Sequence, residues 1–319
     1  MTLVGTGALD FAVDLSGGPR SPSRDAMSTS SGSTVSSRRS LRAIARAAFL
    51  TAPTVLALLA AWFLLYGLLL SGVEQHVSQT RLYDELRLQL ASETAPLAEP
   101  VLVGSPVAVI SAPAIGIDNL VVVEGTTSQL LMSGPGHMSD TPLPGQMGTS
   151  VILGRSVTFG APFGRITRMT VGDVVTLTTG QGVFRYSVED VRRPGSPPSS
   201  TLRAGDSRLT LVTSAGGGWT TGWAPTHAVY VDALLIGKAQ PLPAGVPGTV
   251  SLASLPMHND PTIFPFILWL GGLVLVALAA SWAWLRWGRF ETWIVGAPVL
   301  LAVLWGTSDA LMRFLPNLL

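Results

Sequence analysis

Residues 133–191 read SGPGHMSDTPLPGQMGTSVILGRSVTFGAPFGRITRMTVGDVVTLTTGQGVFRYSVEDV, and the fold turns on how this stretch divides. Three runs rich in β-branched residues stand out: TSVILG (149–154), DVVTLTT (173–179) and GVFRYSVEDV (182–191). Gly, Pro, Asp and Ser separate them. Branched and aromatic side chains pack on a pleated surface and the separators supply turns, so these runs read as strands. Four more flank them: VAVISA (107–112), NLVVVEG (119–125), SRLTLVTS (207–214) and HAVYVDALLIG (227–237). Seven short strands between Val107 and Gly237 predict an all-β domain, a barrel or a sandwich, long enough to bury its own core.

Outside that domain the chain changes character. Of its 319 residues 12% are charged and 47% hydrophobic. A soluble domain carries about 25% charged residues, so this composition points to membrane content. Ala47 to Val73 holds no charge, nor does Pro261 to Leu285, which contains FPFILWLGGLVLVALAASWAWL; both are long enough to span. A third run, Thr292 to Ser308, is shorter and interrupted by Pro298. Arg20, Arg24, Arg38, Arg39, Arg42 and Arg46 precede the first span, and Arg286 and Arg289 lie between the second and third. Basic residues collect on the cytoplasmic side, so the expectation is a multi-pass cell-membrane protein with a cytoplasmic N-terminus and an extracytoplasmic β-domain.

The expected organisation follows. Residues 1–46 form a Ser-, Gly- and Arg-rich disordered tail, with Met27 an alternative start to Met1. Residues 47–73 are the first span. Residues 74–106 are a stalk helix, in which Leu82, Leu86 and Leu90 recur every fourth position, and a linker of three prolines from Ala95 to Pro106. The β-domain is 107–238, a Pro-rich linker 239–261, the second span 262–285, a cytoplasmic turn 286–291, the third span 292–312 and an outer tail 313–319. Asp309 and Arg313, four apart, read as an interfacial pair rather than an ion path. The tryptophans of the spans, Trp269, Trp282, Trp284, Trp287, Trp293 and Trp305, suit interfacial anchoring.

There is no cysteine. That excludes disulfides, thiolate metal sites and a thiol nucleophile. Net charge is +1, which gives no electrostatic case for nucleic acid. No Asp/Glu pairing suggests calcium, and no cofactor or metal is expected.

The 133–191 stretch resembles the sortase family, in particular the actinobacterial class E type. Members carry a G-P-G-H-Y…LPG…G-N-x-V-I-A-G-H-R-x-T-x-G-A-P-F block and then a G-D-x-I-x-V strand. PAIGIDNLVVVEGTT (113–127) is similar to the segment that opens the family barrel, SRLTLVTS to its L-T-L-T-T-C strand, and HAVYVDALL to its R-L-V-V-x-A-x-L strand. The resemblance covers about Val107 to Gly237 and implies an eight-stranded closed barrel. It also implies a cysteine transpeptidase of the cell surface that cleaves LPxTG-like sorting signals. Its histidine acts as acid/base, its arginine stabilises the oxyanion, and an amine from cell-wall material or another protein resolves the acyl-enzyme.

On those motifs the family histidine falls on Arg155, the cysteine on Ser214 and the arginine on His227. A serine hydroxyl needs an adjacent base, and a guanidinium supplies none. The expectation is therefore a catalytically inactive homologue, a binding or scaffold module for sorting-signal peptides, cell-wall material or a partner sortase. The alternative is an atypical acyl transferase in which Ser214 pairs with His137 or His227. Expected substrate contacts are His137, Arg155, Thr213, Ser214, Trp219 and Trp223, the two tryptophans flanking Gly216, Gly217 and Gly218. Asp118 and Glu124 read as strand-end residues, and Gly154, Gly160, Pro162 and Phe163 as turn and packing residues.

Overall fold

The computed structural model describes residues 55, 57–96, 101–197, 199–215, 227–242, 263–286 and 289–313. The contacts below lie within the compact unit Leu58–Leu319. Eight strands form a closed barrel: β1 Pro106–Ala112, β2 Ile117–Glu124, β3 Gly136–His137, β4 Gly148–Leu153, β5 Val174–Thr179, β6 Gly182–Arg192, β7 Ser207–Ala215 and β8 His227–Leu235. Their order around the barrel is β1-β2-β3-β4-β7-β8-β6-β5, and β5 returns to β1. Pairs β2/β3 and β4/β7 are parallel and the rest antiparallel. Of the barrel-or-sandwich pair, the barrel is formed. The strand the run-counting missed is β3, whose two residues leave no period to see.

Alternation along each strand sorts side chains between two layers. On β5 every second residue, Val175, Leu177 and Thr179, is buried. Ile152, Leu209, Leu211, Val231 and Ala233 join the main core inside the barrel. Val151, Leu153 and Val212, one step along their strands, belong to a second cluster on the outer face with Leu131 and Met138. Leu131 lies on the short helix α1, Ser128–Ser133. This outer layer explains why Arg208 to Ser214 on β7 are all buried, giving a near-continuous buried run.

Among the described residues, three helices are long and apolar enough to cross a membrane: Ala57–Ala91, Phe264–Trp284 and Phe290–Met312. The first contains a π-helical turn at Tyr66–Leu70 and continues as Ser71–Ala91. The second and third are α2, Phe264–Arg286, and α3, Arg289–Met312, with Pro298 inside α3.

The stripe Leu82, Leu86 and Leu90 packs on Val109 and Val121, so this helix lies along the barrel wall. Gln79 fixes it there. Its Nε2 donates to Val121 O at 3.0 Å and Ser133 O at 2.9 Å, and Val121 N donates to its Oε1 at 2.7 Å. Lower down, Phe159 N donates to Ser71 Oγ at 3.0 Å. Tyr66, Met132, Phe159 and Met312 share one apolar cluster with Trp305, joining the first span, the barrel and α3. Trp62 Nε1 donates to Ser308 Oγ at 3.1 Å, and Arg313 bonds Asp309 at 3.0 Å within α3.

Candidate functional site

The site follows from strand register. Ser214 lies near the end of β7, opposite Ala228 of β8, and Ala215 lies opposite His227. Residues opposite each other share a face, and neighbours along a strand alternate. Ser214 and Ala228 therefore share the outer face with Val212 and Tyr230. His227 projects to the other face. The side chain opposite Ser214 is thus the methyl group of Ala228, and His227, expected in the third place, lies opposite Ala215.

Ser214 is 4% exposed, and its Oγ lies 2.7 Å from Ser156 Oγ. Ser156 follows Arg155 in the loop after β4. Arg155 is fully buried. Its Nη2 donates to Ser128 O at 3.1 Å and Ser128 Oγ at 3.0 Å, and its Nη1 to Thr158 Oγ1 at 3.2 Å. The guanidinium also lies 5.1 Å over the Phe159 ring. All its hydrogen-bond partners are neutral, and Nε has none. Burial lowers its pKa to about 10, so it stays charged at neutral pH. An isolated charge costs several kcal/mol to bury, and here hydrogen bonds and a ring face offset that cost in place of a carboxylate. Arg155 thus ties β4 to the start of α1.

Thr213 is fully buried, and its Oγ1 donates to Gly154 O at 2.9 Å. His137 is fully buried as well. Its Nδ1 lies 2.7 Å from Glu124 Oε2, and its Nε2 is 3.1 Å from both Pro142 O and Thr141 Oγ1. Glu124 does end β2, as its position suggested, but it also anchors this buried pair, a role that its place in the sequence does not announce. Trp219 and Trp223 lie outside the described residues. Among the described residues no group of three or more His, Asp or Glu is arranged to hold a metal.

On its other side, Ser156 lines a cleft of about 490 Å³. Gln75 of the first span, Gly116 between β1 and β2, Asp118 near the start of β2, and Gly160 and Arg165 of the loop after β4 complete its polar lining. That loop is held in an uncommon shape. Phe159, Gly160 and Ala161 have φ of 51°, 72° and 47°. Such a backbone costs a non-glycine residue of order 1 kcal/mol, and here the Phe159–Ser71 hydrogen bond helps hold it. At Gly160 the positive φ favours glycine, and an added Cβ would stand 2.8 Å from Gln75 Oε1 and push that side chain aside.

A closed eight-stranded barrel with two parallel pairs, and a candidate nucleophile position at the end of β7 facing β8, is a barrel of the sortase type. Residues 110–219 match the sortase domain family model. Solved structures similar to the chain include a Clostridium perfringens sortase D5 transpeptidase, 24% identical, with 50% of this chain and 99% of that chain covered and a TM-score of 0.42. A threonine-to-valine mutant of sortase E from Streptomyces avermitilis is 31% identical, with 46% and 97% covered and a TM-score of 0.36. A sortase from Actinomyces oris is 23% identical, with 44% and 85% covered and a TM-score of 0.37. No curated protein matches the chain. The chain carries a sortase domain over residues 110–219, and its closed eight-stranded barrel has the sortase fold.

Proposed function

We propose that the chain is a membrane-anchored sortase homologue without transpeptidase activity, of the class E type. Its barrel stands outside the membrane as a binding module for a sorting-signal peptide or a partner sortase. The observation that carries this reading is Arg155, a buried guanidinium on which the family histidine falls, while Ser156 Oγ lies 2.7 Å from Ser214 Oγ and Ala228 stands opposite it in the strand pair. Meanwhile the Arg155 guanidinium is engaged by Ser128 and Thr158. Acyl transfer needs an activated nucleophile and a base to activate it. A guanidinium has no lone pair to offer, and a neutral serine hydroxyl is too weak a base. With His227 on the far face and His137 enclosed against Glu124, the family roles of base, nucleophile and oxyanion stabiliser fall on Arg155, Ser214 and Ala228. The arginines before the first span, and Arg286 and Arg289 at the facing ends of α2 and α3, support a cytoplasmic N-terminus. Trp219 and Trp223 are the aromatic contacts assigned to the peptide.

The test incubates the full chain in detergent with LPxTG-type peptides and an amine acceptor, and follows cleavage and transfer by mass spectrometry. Peptide binding without cleavage is the expected result. Cleavage that disappears in Ser214→Ala would overturn the reading in favour of a serine-based acyl transferase.

A further inference from the structure

The cleft beside Ser156 carries polar groups that the protein itself leaves unused. Gln75 lines the cleft, and its side-chain amide makes no hydrogen bond to another described residue and stays open to solvent there. The Arg165 guanidinium, also in the lining, forms no hydrogen bond or ion pair among the described residues, and it is folded back over the turn: a Cβ on Gly116 would stand 3.2 Å from its Nη1. Asp118, near the start of β2 on the same cleft, is exposed like Arg165 and likewise makes no hydrogen bond or ion pair among the described residues. One cation, one anion and one amide that can both donate and accept thus line one cavity, roomy enough for a small ligand. Left-handed backbone at Phe159, Gly160 and Ala161 shapes its wall.

Position narrows the ligand further. The uncharged run of the first span ends at Val73, and Gln75 is two residues beyond it. The cleft therefore lies at the level where the helix passes from hydrocarbon to the polar interface. Groups found at that depth are lipid head groups and small polar solutes close to them.

We propose that this cleft binds a zwitterion bearing a phosphate and a primary ammonium. Arg165 takes the phosphate, Asp118 the ammonium, and Gln75 an oxygen or N–H between them. An Arg–phosphate contact is a charge-assisted hydrogen bond of the strong kind, and a partner carrying both charges answers both walls. The site does not depend on whether Ser214 is inert, since it is read out by binding alone.

The experiment titrates the full chain in a mild detergent by calorimetry with three probes: dihexanoyl phosphatidylethanolamine, dihexanoyl phosphatidylglycerol and soluble phosphoethanolamine. The expected result is one saturable site for the ethanolamine lipid, with the glycerol lipid at least about tenfold weaker. Arg165→Gln and Asp118→Asn should each weaken the ethanolamine lipid by about tenfold. In Asp118→Asn the two lipids should become nearly equal, because the ammonium has lost its partner. Circular dichroism melts confirm that both variants are folded. Soluble phosphoethanolamine matching the lipid supports the site and assigns its ligand to solution; preference for the lipid supports it and assigns the ligand to the membrane. No saturable site, unchanged affinity in both variants, or equal binding of the two lipids by the unaltered chain would overturn the proposal.

Discussion

Arg155 and Ser156 are neighbours in the chain and live in different surroundings. The first is fully buried, its guanidinium bonded to Ser128 and Thr158 and stacked on Phe159. The second is partly exposed, touching Ser214 on one side and a cleft of about 490 Å³ on the other. One residue has become part of the packing, and the next has taken over contact with the candidate nucleophile position. A loop after a strand can make that exchange because one step along extended backbone changes the face a side chain reaches. The long reach of arginine then lets it bond to α1 instead of turning back to Ser214.

The largest effect that would sharpen this contrast comes from rebuilding the family triad on it. With Arg155→His and Ser214→Cys in common, adding Ala228→Arg should give measurable transpeptidation of LPxTG-type peptides. Adding His227→Arg instead should give at least about a hundredfold less, since members of a catalytic unit act together. The comparison tests the register at β7/β8 directly, because the two arginines would leave opposite faces of β8. Equal turnover in the two would break it.

Next in size is Arg155 itself. Arg155→Ala removes the largest fully buried side chain and leaves acceptors of Ser128 without donors. A loss of about 3 kcal/mol of stability is expected, read by denaturant melts of the barrel. Arg155→Met keeps the volume and removes an unpaired buried charge, so it should cost about 1 kcal/mol or less. If the two variants melt alike, the side chain is not the tie described here.

A smaller effect is expected away from the site. Gln79→Ala removes three hydrogen bonds between the first span and the barrel, worth about 1–3 kcal/mol together. The Leu82, Leu86 and Leu90 contacts remain. Hydrogen exchange should therefore quicken at Val121 while the β7 core stays protected. Unchanged exchange at Val121 would show that the apolar stripe alone holds the helix.

How much of this was legible before the fold was known depends on how local each signal is. The seven longer strands each carry a run of β-branched residues. The span helices each carry an uncharged apolar stretch, and period and length expose both directly. Strand β3 has two residues and no period, so its existence follows only from pairing with β2 and β4. Ser214 and Arg155 were reachable because each sits inside a well-anchored motif. The place of Ala228 opposite Ser214 was not, because it follows from the pairing of β7 with β8, and a shift of one residue reverses the face. Ser156, Gln75 and Glu124 were missed for a different reason. Their roles come from partners 58, 85 and 13 positions away, and no local pattern encodes such contacts. The apolar stripe at Leu82, Leu86 and Leu90 was plain in the sequence, but nothing in it names the barrel wall as its partner.

The central claim is the proposal that Ser214, at the nucleophile position, does not act as a nucleophile, and its chemical reactivity is the most direct measure. Treating the full chain with a fluorophosphonate and digesting it for peptide mass spectrometry reads that reactivity residue by residue. The account predicts no adduct on Ser214 beyond the level on Ser156 or on surface serines. A stoichiometric adduct on Ser214, lost in Ser214→Ala, would contradict it.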